Sequence, residues 1–345
     1  MRKKRILFAT SYNGNDTTSW LRAYGPLTLP GMEDVCEIIE PRDTKVFSNA
    51  SKKVVPWWNN WRNWVGVDVC FLHRPYGKAA ASIISNAQMH GVPIWCDHDD
   101  DLLAIPDANP YKQPHADAEK EFPGVEMSYR DADILTCSSI AMQAELKSKY
   151  GRDDAQLITS GLDDRFLRFK KPFSKNNRVG WRGSDSHRAD ILHFEKDYRH
   201  MFETYPEIDW WWFGMDPREI FGKDLDINGE VLRQLNMFHF THELCKTNCS
   251  IHLVPLEPCH FNHVKSNLAW LDATLAGSAV FGPNDFPEWQ KPGMLKWGQL
   301  EMLFENMDDM WEFLKEHHDK SWEYIQSELL TSRLNLQRIE ILRNL

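Results

Sequence analysis

Residues 261–281 read Phe261-Asn262-His263-Val264-Lys265-Ser266-Asn267-Leu268-Ala269-Trp270-Leu271-Asp272-Ala273-Thr274-Leu275-Ala276-Gly277-Ser278-Ala279-Val280-Phe281. Polar residues open the stretch, an amphipathic helical run follows, Gly277 halts it, and a short unbroken apolar run restarts the chain. That is a helix followed by a buried strand, the alternating unit of a parallel sheet covered on both faces. Lys265 and Ser266 stand at the helix start, where unpaired N–H groups and a partial positive charge suit a diphosphate. Lys265 adds a full charge and Ser266 a hydroxyl. Asp272, nearly two turns further on, is placed to accept hydrogen bonds from ribose hydroxyls. The plainer alternative is an amphipathic helix that Ser266 merely caps.

The same alternation extends outward in both directions. Strands are expected at residues 178–181, 209–213, 250–254 and 279–281, with helices between them. The first half shows strands at 6–10, 36–40, 67–72, 92–96, 134–137 and 157–159. Helical patterns cover 79–89, end at 127–132, and run over 139–150, with Ser138 or Ser139 as N-cap. Residues 165–177, with Lys170-Lys171-Pro172, read as a polar linker. A chain of 345 residues exceeds what one hydrophobic core usually serves. The expected class is therefore α/β, with two Rossmann-like doubly wound domains facing a central cleft and a C-terminal helical tail. The boundaries are residues 1–168, a linker at 169–177, residues 178–306, and helices over 307–345 packing back toward the first domain. Ligands are expected outside the carboxyl ends of the strands.

Residues 261–281 resemble the donor-binding signature of retaining GT-B glycosyltransferases of the large family-four type. There an acidic residue lies shortly before Ala-x-x-x-Gly, and the next strand enters the core. Asp272 and Gly277 match, and the Phe-Asn-x-x-Lys-Ser form of residues 261–266 looks like a bacterial and bacteriophage subgroup. The first Glu of the paired-Glu signature is absent, and Lys265 and Ser266 stand nearby instead. Residues 178–190, Arg178-Val179-Gly180-Trp181-Arg182-Gly183-Ser184-Asp185-Ser186-His187-Arg188-Ala189-Asp190, are similar to the Gly-Arg…Lys-Gly loop whose two basic residues hold the donor pyrophosphate. Arg182 matches the first; Arg188 or His187 falls near the second, where Lys is usual. Planar guanidinium forks suit phosphate oxygens. Trp95 to Leu103, with Asp97-His98-Asp99-Asp100, looks like the strand end where a His or acidic residue faces the sugar and acceptor. Gly14 stands where family members let the backbone approach the donor, and Arg22 falls in the subgroup's first helix.

The resemblance implies a nucleotide-sugar-dependent transferase, UDP-sugar being the expected donor, acting with retention and needing neither cofactor nor metal. Gly14, Gly180, Arg182, His187, Arg188, Lys265, Ser266 and Asp272 would bind the donor. Asp97, His98 and Asp99 would face the chemistry, and Arg22 and Asp100 the acceptor. Trp58 and Trp61 join the acceptor set because indole faces stack on sugars and bases. The acceptor is expected to be a glycan, a lipid-linked glycan, or a hydroxymethylated base in DNA.

Composition narrows the partners. The net charge of -10 gives no overall attraction to phosphate backbones. The Arg2-Lys3-Lys4-Arg5 run reads as a solvated strand start, and the apolar run after it is too short for a secretory signal. No stretch approaches the roughly 20 apolar residues that span a bilayer. A cytoplasmic protein of a bacterial or phage-infected cell is expected, with peripheral membrane contact as the sole membrane option. The 7 cysteines are scattered and odd in number, which argues against a disulfide framework.

Rival readings remain open at this point. Asp-x-Asp within residues 97–101 also suits a hard divalent cation, as in GT-A transferases. His239, His242, Cys245, Cys249, His252, Cys259, His260 and His263 suggest zinc, although no Cys-x-x-Cys pair occurs. Trp57, Trp58, Trp61 and Trp64 fall at helical spacing on one face, as core packing, an acceptor platform or a membrane-surface contact. No P-loop, dinucleotide fingerprint or nucleophile elbow is present. A non-catalytic sugar- or nucleotide-binding module on the same fold is the alternative to an enzyme.

Overall fold

The computed structural model of the chain describes residues 2–9, 17–42, 56–110, 112, 123–233, 235–306 and 309–345. Gly14 lies outside the described residues. The chain divides into two compact units. Met1–Ala104, His115–Thr159 and Thr331–Leu345 form the first, and Ile105–Pro114 with Ser160–Leu330 the second.

The first unit is built on six strands: β1 (Lys4–Phe8), β2 (Cys36–Ile39), β3 (Val69–His73), β4 (Ile94–His98), β5 (Ile134–Cys137) and β6 (Gln156–Leu157). They pair in the order β2-β1-β3-β4-β5-β6, all parallel. β3 and β4 are buried along their whole length, as continuous apolar strands between two helical layers must be. Both run further than their apolar stretch, to His73 and His98, because ladder pairing continues through the polar residues: His73 faces Asp97, and Asp97 faces Thr136. Helices α1 (Gly77–Met89), α2 (Pro123–Asp131) and α3 (Ile140–Tyr150) belong to this unit. Ser139 caps α3, accepting from Met142 N at 3.1 Å, and Gly151 ends it in the left-handed region at φ 66°.

The second unit repeats the plan with β7 (Arg178–Arg182), β8 (Asp209–Gly214), β9 (Gly229–Arg233), β10 (Ile251–Leu253), β11 (Ala279–Gly282) and β12 (Leu295–Lys296). Their order is β12-β11-β10-β7-β8-β9, again all parallel. Helices α4 (Glu195–Thr204), α5 (Met237–Thr247) and α6 (Leu268–Leu275) connect them. Trp210, Trp211 and Trp212 of β8 are all buried, and Trp181 and Trp212 pack at 4.8 Å. Much of the chain's unusual tryptophan content is therefore core. In each sheet one neighbouring pair, β1 with β3 and β7 with β10, marks where the chain reverses its direction of winding. Such a switch point leaves a crevice at the carboxyl ends of its two strands.

The C-terminal tail divides. Helix α7 (Trp311–Glu328) contributes Trp311 and Leu314 to the second unit's core, while α8 (Thr331–Asn344) contributes Leu334, Ile341 and Leu342 to the first. The polar stretch at 165–177 is ordered rather than a free linker. It begins within a 3-10 helix, Asp164–Phe169, and Lys171 N donates to Leu275 O at 2.9 Å at the end of α6. Gly277, at φ 93°, has Pro172 O within 2.3 Å of where a Cβ would sit, so both conformation and space require glycine there.

The four-tryptophan stretch departs from its expected single helix. It forms two 3-10 turns, Trp57–Asn59 and Trp61–Asn63, broken at Asn60, whose side chain accepts from Arg62 N at 3.2 Å. Asn bonding to its own backbone two residues on competes with helix and redirects the chain. The rings therefore do not share a face: Trp64 is 3% exposed and Trp61 60%. All seven cysteines are free thiols. No helix among the described residues is long and apolar enough to cross a membrane.

Candidate functional site

Two groups of charged residues gather at carboxyl ends of strands, at β3 and β4 in the first unit and at β7 and β10 in the second. In the second unit Arg182 is the last residue of β7. Its Nη2 donates to Asp272 Oδ2 of α6 at 2.7 Å, and its guanidinium lies 5.5 Å from the Phe240 ring. Its Nε, enclosed by protein, has no hydrogen-bond partner among the described residues. Burial pushes the Asp272 carboxyl above its ordinary range, with Arg182 offsetting part of that, and Asp272 Oδ1 is left without a partner among the described residues. The loop after β7 places His187 against Asp190, Nδ1 to Oδ2 at 2.7 Å.

On the neighbouring strand's loop, the helix expected to start at Lys265-Ser266 starts later, and a separate turn precedes it. A single turn, His260–His263, ends at Val264, and α6 starts after Asn267. Lys265 and Ser266 occupy the turn between them, half-buried, with Lys265 Nζ 4.7 Å from the Phe261 ring. Ser266 does not cap α6. The N-cap is Asn267, which makes no side-chain cap bond, so among the described residues no side chain caps the leading N–H groups of α6. Burial and the charge of Lys265, with a smaller effect from Arg182, hold the His187 pKa below its ordinary value against the pull of Asp190. Arg182, His187, Lys265 and the start of α6 thus stand together, with Asp272 paired to Arg182 and Asp190 to His187.

Two expected donor residues lie elsewhere. Arg188 turns to Glu219, with Nη1 to Glu219 O at 3.1 Å, so His187 is the one of the pair that joins Arg182 and Lys265. Gly180 is buried in mid-strand. A Cβ there would come within 2.8 Å of His252 Nδ1, so its missing side chain makes room for that ring rather than for a ligand. His252 is buried, has no hydrogen-bond partner for either ring nitrogen among the described residues, and is pushed down to about 3 by burial. Among the described residues no three of the cysteines and histidines from 239–263 come within metal-binding distance of one another.

The first unit's group is closed on itself. Arg22 is 2% exposed and grips Asp97 with two bonds, Nε to Oδ2 at 3.0 Å and Nη2 to Oδ1 at 2.6 Å. Thr136 Oγ1 adds a bond to Asp97 Oδ1 at 2.6 Å. Burial works against the Asp97 charge, but Arg22, His73 and Thr136 outweigh it and keep the pKa below the usual carboxylate range. His73 Nε2 meets Asp99 at 3.2 Å, and Arg74 bonds both Asp99, Nη2 to Oδ2 at 2.6 Å, and Asp100. Arg74 sits at φ 49°, a strained conformation for a non-glycine residue. His98 is fully buried, bonds Ser128 Oγ at 2.8 Å, packs on Tyr129, and is pushed down to about 3 by burial. Asp97 and His98 therefore have no open face for an acceptor hydroxyl, and Arg22 is a buried counter-ion rather than a surface contact. The partly exposed end of the group is Arg74 with Asp100.

Trp58 and Trp61 are not brought to this group. They precede β3, on the loop whose Gly66 O accepts from Arg5 at the start of β1, whereas Arg74 and Asp97–Asp100 lie at the carboxyl ends of β3 and β4.

No protein-family model and no curated protein matches the chain. Solved structures do resemble it. HepE of Anabaena, in complex with UDP, is 13% identical over 100% of both chains, with a TM-score of 0.66. An alpha-glucosyltransferase in complex with UDP and a 13-mer DNA containing an HMU base is 11% identical, over 99% of this chain and 100% of its own, with a TM-score of 0.62. A glycosyltransferase from Rickettsia africae is 10% identical over 100% and 99%, with a TM-score of 0.61. The fold is GT-B.

Within this GT-B chain, sequence reasoning missed His73, Arg74, Thr136, Arg338 and Asp190. His73-Arg74-Pro75 ends a continuous apolar strand at a switch point, and that placement was the available signal. Arg338 of α8 had none. It is 4% exposed, and burial together with Arg22 pushes it down to about 9.

Proposed function

We propose that the chain is a nucleotide-sugar-dependent glycosyltransferase. The observation that carries this is the meeting of Arg182, His187 and Lys265 beside the uncapped start of α6, at the carboxyl ends of β7 and β10. A nucleoside diphosphate is the leaving group of such a transfer, and preorganised cations and N–H groups stabilise its developing charge. UDP-sugar is the donor we infer, because HepE and the DNA-bound alpha-glucosyltransferase, which share the fold, hold UDP. Lys265, Arg182 and His187 take the diphosphate, Ser266 adds a hydroxyl, and Asp272 offers its Oδ1 to a ribose hydroxyl while Oδ2 orients Arg182.

On the sugar and acceptor side the reading assigns contact to Asp100 and Arg74. Arg22, Asp97, His98 and Asp99 hold that end in place. Retention of configuration and freedom from metal follow from the family-four resemblance and belong to the same proposal. The acceptor is a hydroxyl of a glycan or lipid-linked glycan, or of a hydroxymethylated DNA base. The net charge of -10 favours the glycan, and the DNA-bound neighbour keeps the base as the second reading.

A thermal-shift panel of nucleotides and nucleotide sugars, with and without EDTA, tests the donor site. A selective rise with a UDP-sugar, unchanged by EDTA, is expected, and no rise with any nucleotide overturns the proposal. In Lys265→Ala that rise should require over tenfold more ligand, since a charge-assisted bond is worth about 1.5–3 kcal/mol. Binding without turnover or donor hydrolysis would turn the reading into a non-catalytic module. Activity that falls steeply with salt would select DNA over a glycan.

A further inference from the structure

Asp190 is buried in the first turn after His187 and uses both carboxylate oxygens. Oδ2 takes His187 Nδ1 at 2.7 Å, while Oδ1 accepts from Glu257 N at 2.9 Å and Asn262 Nδ2 at 2.6 Å. One side chain thereby ties the loop after β7 to the loop after β10 that carries Lys265. Burial opposes its charge, but His187, Lys265 and the Glu257 N–H outweigh that and keep it ionised. An ionised acceptor at Nδ1 fixes the proton of a neutral ring there and leaves a lone pair on Nε2. His187 is 28% exposed on its side chain, and Nε2 has no hydrogen-bond partner among the described residues.

The charged groups facing the ring are Asp190 from its own segment, Lys265 from the loop after β10, and Arg182 from the end of β7. With the site empty, burial and the two cations keep the ring neutral. A diphosphate on Lys265 and Arg182 reverses that balance. Its charge cancels the cations' field, and a bare lone pair on Nε2 would repel a phosphate oxygen.

We propose that donor binding draws one proton from solvent onto His187 Nε2, which then donates to the diphosphate, and that Asp190 is the positioning residue holding the ring for this task. This rests on the donor-site reading above. The pKa of His187 is higher in the complex than in the free protein. The gain in affinity is therefore fully present below the free value and is lost as pH rises through the value in the complex.

Calorimetry of the full chain with UDP-glucose, between pH 6 and 8.5 in buffers of different ionisation heat, reads the proton directly. The diphosphate of UDP-glucose has no proton to lose in this range, unlike a terminal phosphate with a pKa of about 6. Wild type should take up as much as one proton, its affinity falling by at most ~tenfold per pH unit as pH rises. His187→Gln leaves the Asp190 bonds to Glu257 and Asn262 in place and should bind with a flat profile and no uptake. Asp190→Asn should bind with a diminished uptake and a profile moved to lower pH. Wild-type binding with no proton uptake overturns this inference alone, whereas no binding at any pH overturns the donor reading beneath it. A His187→Gln variant that keeps the wild-type uptake assigns the proton elsewhere and also overturns it.

Discussion

Both charged groups stand at carboxyl ends of strands, the first at β3 and β4 and the second at β7 and β10, yet they differ in how their charge is used. In the first unit Arg22 meets Asp97 through two bonds and Arg74 meets Asp99 and Asp100, so opposite charges are matched within the group. In the second unit Asp272 is paired with Arg182 and Asp190 with the His187 ring, while Lys265 has no carboxylate partner among the described residues. Among the described residues Arg182 Nε has no partner, Lys265 Nζ rests on the Phe261 ring, and the Asn267 N-cap of α6 makes no side-chain bond. A matched group holds a shape, whereas an unmatched one awaits a counter-charge. The first group can thus act as a brace, and on the function proposed above the second would act as a receptor.

The largest test breaks the brace. Asp97→Asn removes the carboxylate that compensates buried Arg22, with Arg338 adding a second buried cation nearby. Removing one partner of a buried pair costs about 3–5 kcal/mol. Urea unfolding should show a loss of that size. A midpoint equal to wild type would mean the charge is not needed as a brace, and Asp97 would return as a candidate for contact with the sugar.

A second test concerns acid and spans both units. His98 in the first and His252 in the second are each pushed from 6.5 to about 3 by burial. A histidine whose folded pKa is depressed binds its proton more readily when unfolded. The stability it leaves intact above pH 6.5 is lost progressively as pH falls from there toward about 3, and at pH 5 the loss is ~2 kcal/mol for each ring. His252→Leu forfeits no hydrogen bond to the described residues, since neither ring nitrogen has a partner among them. It should be near neutral at pH 7.5 and should flatten the acid loss. A slope between pH 7 and 5 that is unchanged from wild type would place the acid sensitivity elsewhere.

Much of the fold is legible because it rests on local pattern. Continuous apolar strands, the Ser139 cap and the Gly277 stop all act within a few residues. The second unit's charged group is partly legible for the same reason, since Lys265-Ser266 and Arg182 stand at element ends. What resists reading is the choice of partner. Arg22 and Asp97 are 75 residues apart and Arg182 and Asp272 are 90, and only the packing of helix against sheet decides that they meet. Asp97, His98 and Arg22 look like site residues because charge at a strand end is visible, whereas its neutralisation by a distant side chain is not. Burial is equally hidden: adjacent tryptophans in β8 are core, and Trp61 is not, with nothing in composition to separate them.

The smallest effect is expected at Trp61, outside both groups. Its loop stands at the amino end of the first sheet, while Arg74 and Asp100 stand at the carboxyl end, so five residues of β3, or about 17 Å, separate the two. Trp61 is 60% exposed and its ring is touched by Arg62 at 5.8 Å. Trp61→Ser should therefore change stability by no more than about 0.5 kcal/mol and leave UDP-glucose affinity as it was. A drop in donor affinity would break the assignment of chemistry to the carboxyl ends. The informative result lies in the acceptor. A small acceptor hydroxyl bound at Arg74 and Asp100 cannot reach Trp61, so its turnover should not change. An extended glycan or a DNA strand can run that length, and a base or sugar stacked on the indole is worth about 1–3 kcal/mol. A loss confined to long acceptors would identify the substrate as a polymer and restore Trp61 to its recognition, at a distance from the bond being made.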